Sequence, residues 1–207
     1  MQTPRHLIRA LLSAVALVVG LMAFPATASA TTTADPLPTG CVDVSDDATV
    51  RTNCNVTVNG QLVTIQIQCN GHNKPSVQGT TLIFNDQTGN CNIDITTALG
   101  TTVSFGCMGN GPNNFEIDTA TLSFRDYSAG QCDTTIKAGE KFVSGDTKGQ
   151  TETEIRLTTT TVEVTTHGPA SLTTSEGVNH TCGGSSTVRA DGTDPLNPQM
   201  SVTNCLN

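Results

Sequence analysis

One passage of this chain is written twice, and it constrains the fold more than any other feature. "CNVTVNGQLVTIQIQC" runs from Cys54 to Cys69, and "CNIDITTALGTTVSFGC" runs from Cys91 to Cys107. Each opens on Cys-Asn, alternates apolar and polar residues, breaks at a polar turn, alternates again and closes on Cys. Extending the comparison sets Cys54, Cys69 and Cys91 over Cys91, Cys107 and Cys132. It also sets Leu82 over Leu122, Phe84 over Phe124 and Asp86 over Asp126. The result is an internal repeat of roughly 40 residues, occupying 54–91 and 91–132, with Cys91 closing the first unit and opening the second.

Alternation with period two is what a half-buried strand requires. Val63, Ile65, Ile67 and Cys69 share one face, with Thr64, Gln66 and Gln68 on the other. Val103, Phe105 and Cys107 do the same in the second unit, and Leu82, Phe84, Leu122 and Phe124 fall at inward positions. No window after residue 30 has a helical period. The expected fold is all-β: a disulfide-stapled β-sandwich built from duplicated units, each too small to bury a face alone. A β-trefoil or a β-solenoid is the alternative. Residues 133–207 form a divergent third part. Within it, segment 133–154 breaks the pattern and reads as an excursion between units. Ile155 and Leu157 are out of phase with Val162 and Val164, which calls for a bulge or break near Thr159–Thr161.

The first 30 residues stand apart. Arg5 and Arg9 precede an apolar run ending at Phe24, and Ala28-Ser29-Ala30 supplies small residues for cleavage. This is the layout of a secretory signal, and the run of roughly 14 residues is short of the ~20 that span a bilayer. The expected organisation is a signal at 1–30, a linker at 31–40 and one all-β domain at 41–207, with no membrane span. All eight cysteines lie beyond the signal. An even count in an exported chain favours disulfides, and zinc spacing is missing. Equivalent cysteines of a repeat should pair alike, which gives Cys41–Cys54, Cys69–Cys91, Cys107–Cys132 and Cys182–Cys205.

Charge narrows the partners. Removing Arg5 and Arg9 leaves eight basic residues against eighteen acidic ones, a net charge near −10. Nucleic acid and anionic membranes are therefore unsuitable partners, and such a charge keeps a secreted chain soluble and monomeric. The abundant threonine, as in Thr158–Thr161, fits high β-propensity. Asn55-Val56-Thr57 and Asn179-His180-Thr181 are glycosylation sequons.

Catalytic signatures are sparse. His72, His167 and His180 sit in no recognisable catalytic context, and no nucleophile elbow, zinc-protease helix or phosphate loop is written in the chain. No cofactor is expected. Asp191 and Asp194 flank a glycine turn that offers oxygens suited to calcium, although aspartate also simply forms turns. More suggestive are the Gly-, Asn- and Pro-rich stretches "NGHNKPSVQG", "MGNGPNN" and "GGSSTVRADGTDPLNP", which follow Cys69, Cys107 and Cys182. Rigid, staple-bounded loops lose little entropy on binding, so Lys74, Met108, Asn110, Asn113 and Arg189 are the candidate contact residues. The expectation is a secreted, non-catalytic binding or surface-interaction module. The alternatives are a protease inhibitor that presents Met108 or Lys74, and a hydrolase with a dispersed active site.

Overall fold

A computed structural model describes residues 36–71, 73–108, 113–127, 131–148, 151–194 and 196–205. The expected signal, residues 31–35 of the linker, His72 and the candidate Asn110 lie outside the described residues. In chain order the strands are β1 Cys41–Asp43, β2 Val50–Val58, β3 Gln61–Cys69, β4 Ser76–Gln78, β5 Thr81–Gln87, β6 Cys91–Thr97, β7 Thr102–Met108 and β8 Asn113–Asp118. There follow β9 Ser123–Asp126, β10 Gln131–Ala138, β11 Lys141–Lys148, β12 Thr151–Leu157, β13 Thr161–His167, β14 Ala170–Thr174, β15 Asn179–Cys182, β16 Ser185–Asp191 and β17 Gln199–Thr203.

After β1 the chain proceeds by hairpins, and each hairpin joins the sheet that the previous one did not. The nine-stranded sheet has the order β1-β2-β3-β6-β7-β10-β11-β14-β15, and the eight-stranded sheet β17-β16-β13-β12-β9-β8-β5-β4. Neighbours pair antiparallel throughout the two sheets. Both sheets are open, so the described strands form neither the closed barrel of a trefoil nor the parallel coils of a solenoid. Local sequence explains the hairpins. Asn59 and Gly60, both at positive φ (51° and 78°), make the two-residue turn between β2 and β3. Asn-Gly is the pair best suited to that geometry.

One register row crosses eight strands of the nine-stranded sheet. It reads Val50, Cys69, Cys91, Cys107, Cys132, Thr147, Ala170 and Cys182. All eight are buried. This row lies where strands hand the chain over to the other sheet, so hairpin turns gather at the opposite edge. Disulfides join Cys69 to Cys91 and Cys107 to Cys132, directly across β3/β6 and β7/β10. Those strand pairs are consecutive hairpins of one sheet, whose covalent connection detours through the other. A third bridge joins Cys41 to Cys54 across β1/β2, and a fourth joins Cys182 at the end of β15 to Cys205 just past β17, linking the two sheets.

The core has two textures. Phe84 stacks on Phe115 with ring centroids 4.6 Å apart, and Phe105 of the nine-stranded sheet stacks on Phe124 of the eight-stranded one at 4.3 Å. Towards the C-terminal end no aromatic ring among the described residues is buried, and small or polar side chains such as Thr134, Thr147, Thr153, Thr166, Ala138 and Ala170 share the interior with Ile136, Ile155, Leu157 and Leu172. Small side chains can fill the space between two sheets only if the sheets approach each other. Cα atoms of β10 and β16, and of β11 and β17, come within 8 Å.

Two sequence expectations are corrected here. Residues 133–148 and 151–154 are not an excursion: they lie in β10, β11 and β12, inside the two sheets. The pattern was hidden because Thr134, Thr147 and Gly145 occupy inward positions that carry large apolar residues elsewhere. The phase change near Thr159–Thr161 is the break rather than the bulge: a hairpin turn between β12 and β13. The repeat is also looser in register than in lettering. Cys107 faces Cys91, yet Cys69 faces Val50, and Cys54 lies four residues further along β2, opposite Ile65.

Candidate functional site

The inward faces of both sheets are consumed by the core, so chemistry falls to the outward faces and the loops. The two outward faces differ sharply. On the eight-stranded sheet, Glu116, Arg125, Glu152, His167 and Ser185 form one row across five strands. Arg125 Nε donates to Glu152 at 2.9 Å, and its guanidinium lies 3.4 Å from Glu116. The Glu152 carboxylate holds the Arg125 pKa up. The Tyr127 hydroxyl donates to Glu116 at 2.8 Å, and that bond raises its pKa. Arg189 pairs with Glu163 at 3.0 Å and with Asp191 at 3.5 Å. Opposite charges on neighbouring strands satisfy one another, which leaves little unused hydrogen-bonding capacity.

The outward face of the nine-stranded sheet is different where β2, β3 and β6 meet. One row there is Arg51, Gln68 and Asn92, and the next is Asn53, Gln66 and Asp94. These six side chains line a groove of about 340 Å³, with Val44 at its rim. Gln66, Gln68, Asn92 and Asp94 are exposed, while Arg51 and Asn53 are half-buried. Asn53, Gln66, Gln68, Asn92 and Asp94 have no side-chain hydrogen bond to any described residue. Arg51 has one long ion pair, 4.0 Å to Asp46, and its buried Nε lacks a partner. Asparagine and aspartate are depleted in strands, and this chain uses threonine freely at outward strand positions elsewhere. The groove thus departs from the local rule at the place where polar groups converge.

The candidate loop residues do not form one surface. Lys74 follows β3, with its Nζ 2.5 Å from Asp43 Oδ2. Lys74 first, and Ser45 second, hold the Asp43 pKa down to about 2. Met108 ends β7 and is 56% exposed. Asn113 opens β8 fully buried, its Nδ2 donating to the Gly89 carbonyl, so it is an interior residue and not part of a loop surface. Arg189 lies within β16, paired as above, and not in a loop. The stretch after Cys182 is strand from Ser185 to Asp191, within β16.

The metal and catalytic options can be placed the same way. Asp191 Oδ1 accepts from the Thr193 amide at 2.9 Å and hydroxyl at 2.6 Å, and Asp194 Oδ1 accepts from the Leu196 amide at 3.1 Å. Each carboxylate caps its own turn. Among the described residues, Cys107, Asp126 and Cys132 form a group of metal-type ligands. Its two sulfurs are bonded to each other, so they are not thiolate ligands. The Ser185 hydroxyl lies 3.1 Å from His167 Nδ1. The neighbouring Glu152 is paired with Arg125, and among the described residues no carboxylate is hydrogen-bonded to that imidazole, as a triad would require.

The missed signal was the pairing of rows: "RTN", "QIQ" and "NID" are ordinary tripeptides until register sets them side by side. The four disulfides point to an oxidising, extracellular type of compartment. No helix among the described residues is long and apolar enough to cross a membrane. The chain matches no protein-family model, and neither a curated protein nor a solved structure is significantly similar to it.

Proposed function

We propose that this protein is a secreted, non-catalytic binding module whose contact surface is the groove on β2, β3 and β6. The observation that supports the reading most is the set of unpartnered amides and the Asp94 carboxylate converging on a stapled sheet, opposite a face whose charges are already paired. Cys69–Cys91 ties β3 to β6 beneath the groove and Cys41–Cys54 ties β2 to the neighbouring β1, and a held scaffold lowers the entropy lost on binding. In this reading the roughly 40-residue units are duplicated hairpin pairs packed as a sandwich, and their role is to carry the face.

The test is retention of labelled mature protein at the surface of the cells that export it, compared with Gln66→Ala/Gln68→Ala/Asp94→Ala. The variant should be released while its circular dichroism and its oxidised cysteines stay unchanged. Equal retention of both proteins sinks the assignment of the groove. Exposed Met108 supports a second reading, stoichiometric inhibition of a secreted protease. Met108→Asp should then abolish inhibition, and inactivity against a broad protease panel removes that reading.

A further inference from the structure

We infer that the groove on β2, β3 and β6 takes a neutral saccharide, an inference that rests on the binding-module reading above. The composition of the groove selects the ligand class. Asn53, Gln66, Gln68 and Asn92 each present both a donor and an acceptor, Asp94 presents acceptors and Arg51 donors. A hydroxyl also donates and accepts at once, so a ring with several hydroxyls can satisfy such a set. A fully ionised anion such as sulfate offers only acceptors and would leave the amide carbonyls and Asp94 unmatched.

Charge points the same way. Arg51 and Asp94 balance within the groove, and the chain carries a net charge of −8, which disfavours anionic ligands. A peptide docks by adding a strand to a sheet edge or by anchoring apolar side chains. The groove lies on a sheet face, and six of its eight lining residues are polar, with only Val44 and Ile67 apolar. The dimensions fit a small carbohydrate. From β2 to β6 is about 10 Å, and the two rows lie about 7 Å apart. Beside Asn92 on the next strand is Gly106, where an added Cβ would meet only Asn92 Oδ1 at 3.7 Å. A chain of sugar rings can therefore continue over β7 without a wall.

The experiment titrates the disulfide-intact, isotope-labelled mature protein with cellohexaose, maltohexaose, chitohexaose and xylohexaose, followed by nuclear magnetic resonance. At least one probe should give saturable shifts in the side-chain amides of Asn53, Gln66, Gln68 and Asn92. Gln66→Ala/Asp94→Ala should weaken that binding at least tenfold with an unchanged Tm. If none of the four probes shifts these amides saturably, or the binding survives the double substitution, the saccharide assignment is overturned. The binding-module reading is read out separately. Surface retention lost in the groove variant, alongside silent sugars, overturns the ligand class alone; retention that ignores the groove together with silent sugars overturns both.

Discussion

Removing the Phe124 ring should cost this fold about 3–5 kcal/mol, the usual range for a buried phenylalanine cut to alanine. The structure argues for the upper half. Phe124 is 1% exposed and touches Phe105 at 4.3 Å and Phe115 at 5.8 Å, measured between ring centroids. Its strand is held between β8 and β12, and that of Phe105 between β6 and β10, so neither backbone is free to close the cavity. A domain of this size is stable by about 5–15 kcal/mol, so the loss should move a urea midpoint far without changing the slope. The sharper measurement is the double-mutant cycle of Phe105→Ala and Phe124→Ala, taken with all disulfides oxidised. Stacked rings couple by about 0.5–1.5 kcal/mol beyond their area. Phe142→Ala, at a residue 39% exposed, is the control and should cost far less. Additivity of the two core substitutions, within about 0.3–0.5 kcal/mol, would mean that the rings do not meet and that the two sheets do not share this core.

Three further outcomes follow from named contacts. Cys69→Ala with Cys91→Ala opens a crosslink spanning 22 residues and should lower stability by about 3 kcal/mol in the chain-entropy picture; a change below about 1 kcal/mol in urea unfolding would contradict it. Gly145→Ala should cost about 1–3 kcal/mol, because its Cβ would overlap Leu172 Cδ2 and stand 2.5 Å from the Ser171 carbonyl oxygen. Gly106→Ala, with only Asn92 Oδ1 nearby, should stay within about 0.5 kcal/mol, and equal costs at the two glycines would refute the packing. Asp43 has a folded pKa lowered to about 2, against about 3.9 unfolded. Its contribution is therefore complete above pH ~4 and lost as pH falls from about 4 to about 2. The Lys74 pair is exposed enough to keep that contribution under about 1 kcal/mol. Lys74→Ala should move the Asp43 titration upward in a nuclear magnetic resonance pH series, and an unmoved midpoint would remove Lys74 as the cause.

The fold was legible where inward positions carry large apolar residues. Val63, Ile65, Ile67, Ile93, Ile95, Phe105 and Phe124 all sit at alternating positions and are all buried, so period two alone marks those strands. It failed from Asp133 to Glu154, where the inward face is Thr134, Ile136, Ala138, Val143, Gly145 and Thr147. Threonine suits a strand whether it faces in or out, so alternation carries no sign there. Thr147 is buried and donates to the Cys132 carbonyl at 2.9 Å, which lets a hydroxyl occupy the core without an unmet hydrogen bond. The equivalence of Cys54 with Cys91 failed for another reason. Similar spacing between cysteines does not fix the position of a hairpin turn, and register depends on the turn. Asn59-Gly60 reflects Cys54 onto Ile65, whereas the turn after Thr97 reflects Cys91 onto Cys107.

The same distinction explains why the candidate site was not legible. Loops can be recognised from composition, so Lys74, Met108 and Asn113 were nameable in advance, yet composition does not say that Asn113 points inward. A face assembled from three strands is a property of register. Arg51, Gln68 and Asn92 are separated by 17 and 24 positions in the chain, and they become neighbours only because β6 returns to β3 after a hairpin has been laid in the other sheet. The bridge that holds this return, Cys69–Cys91, lies one residue beyond Gln68 and one before Asn92. The staple that looked purely structural in the sequence therefore also sets the spacing of the groove. Reducing it should loosen β6 against β3, and so the members of each row, before the hydrophobic core gives way. Side-chain amide resonances of Gln68 and Asn92 that shift under mild reductant, ahead of the buried methyls of Ile65 and Ile95, would show that order; simultaneous loss of both sets would show that the groove has no stability separate from the sheet beneath it.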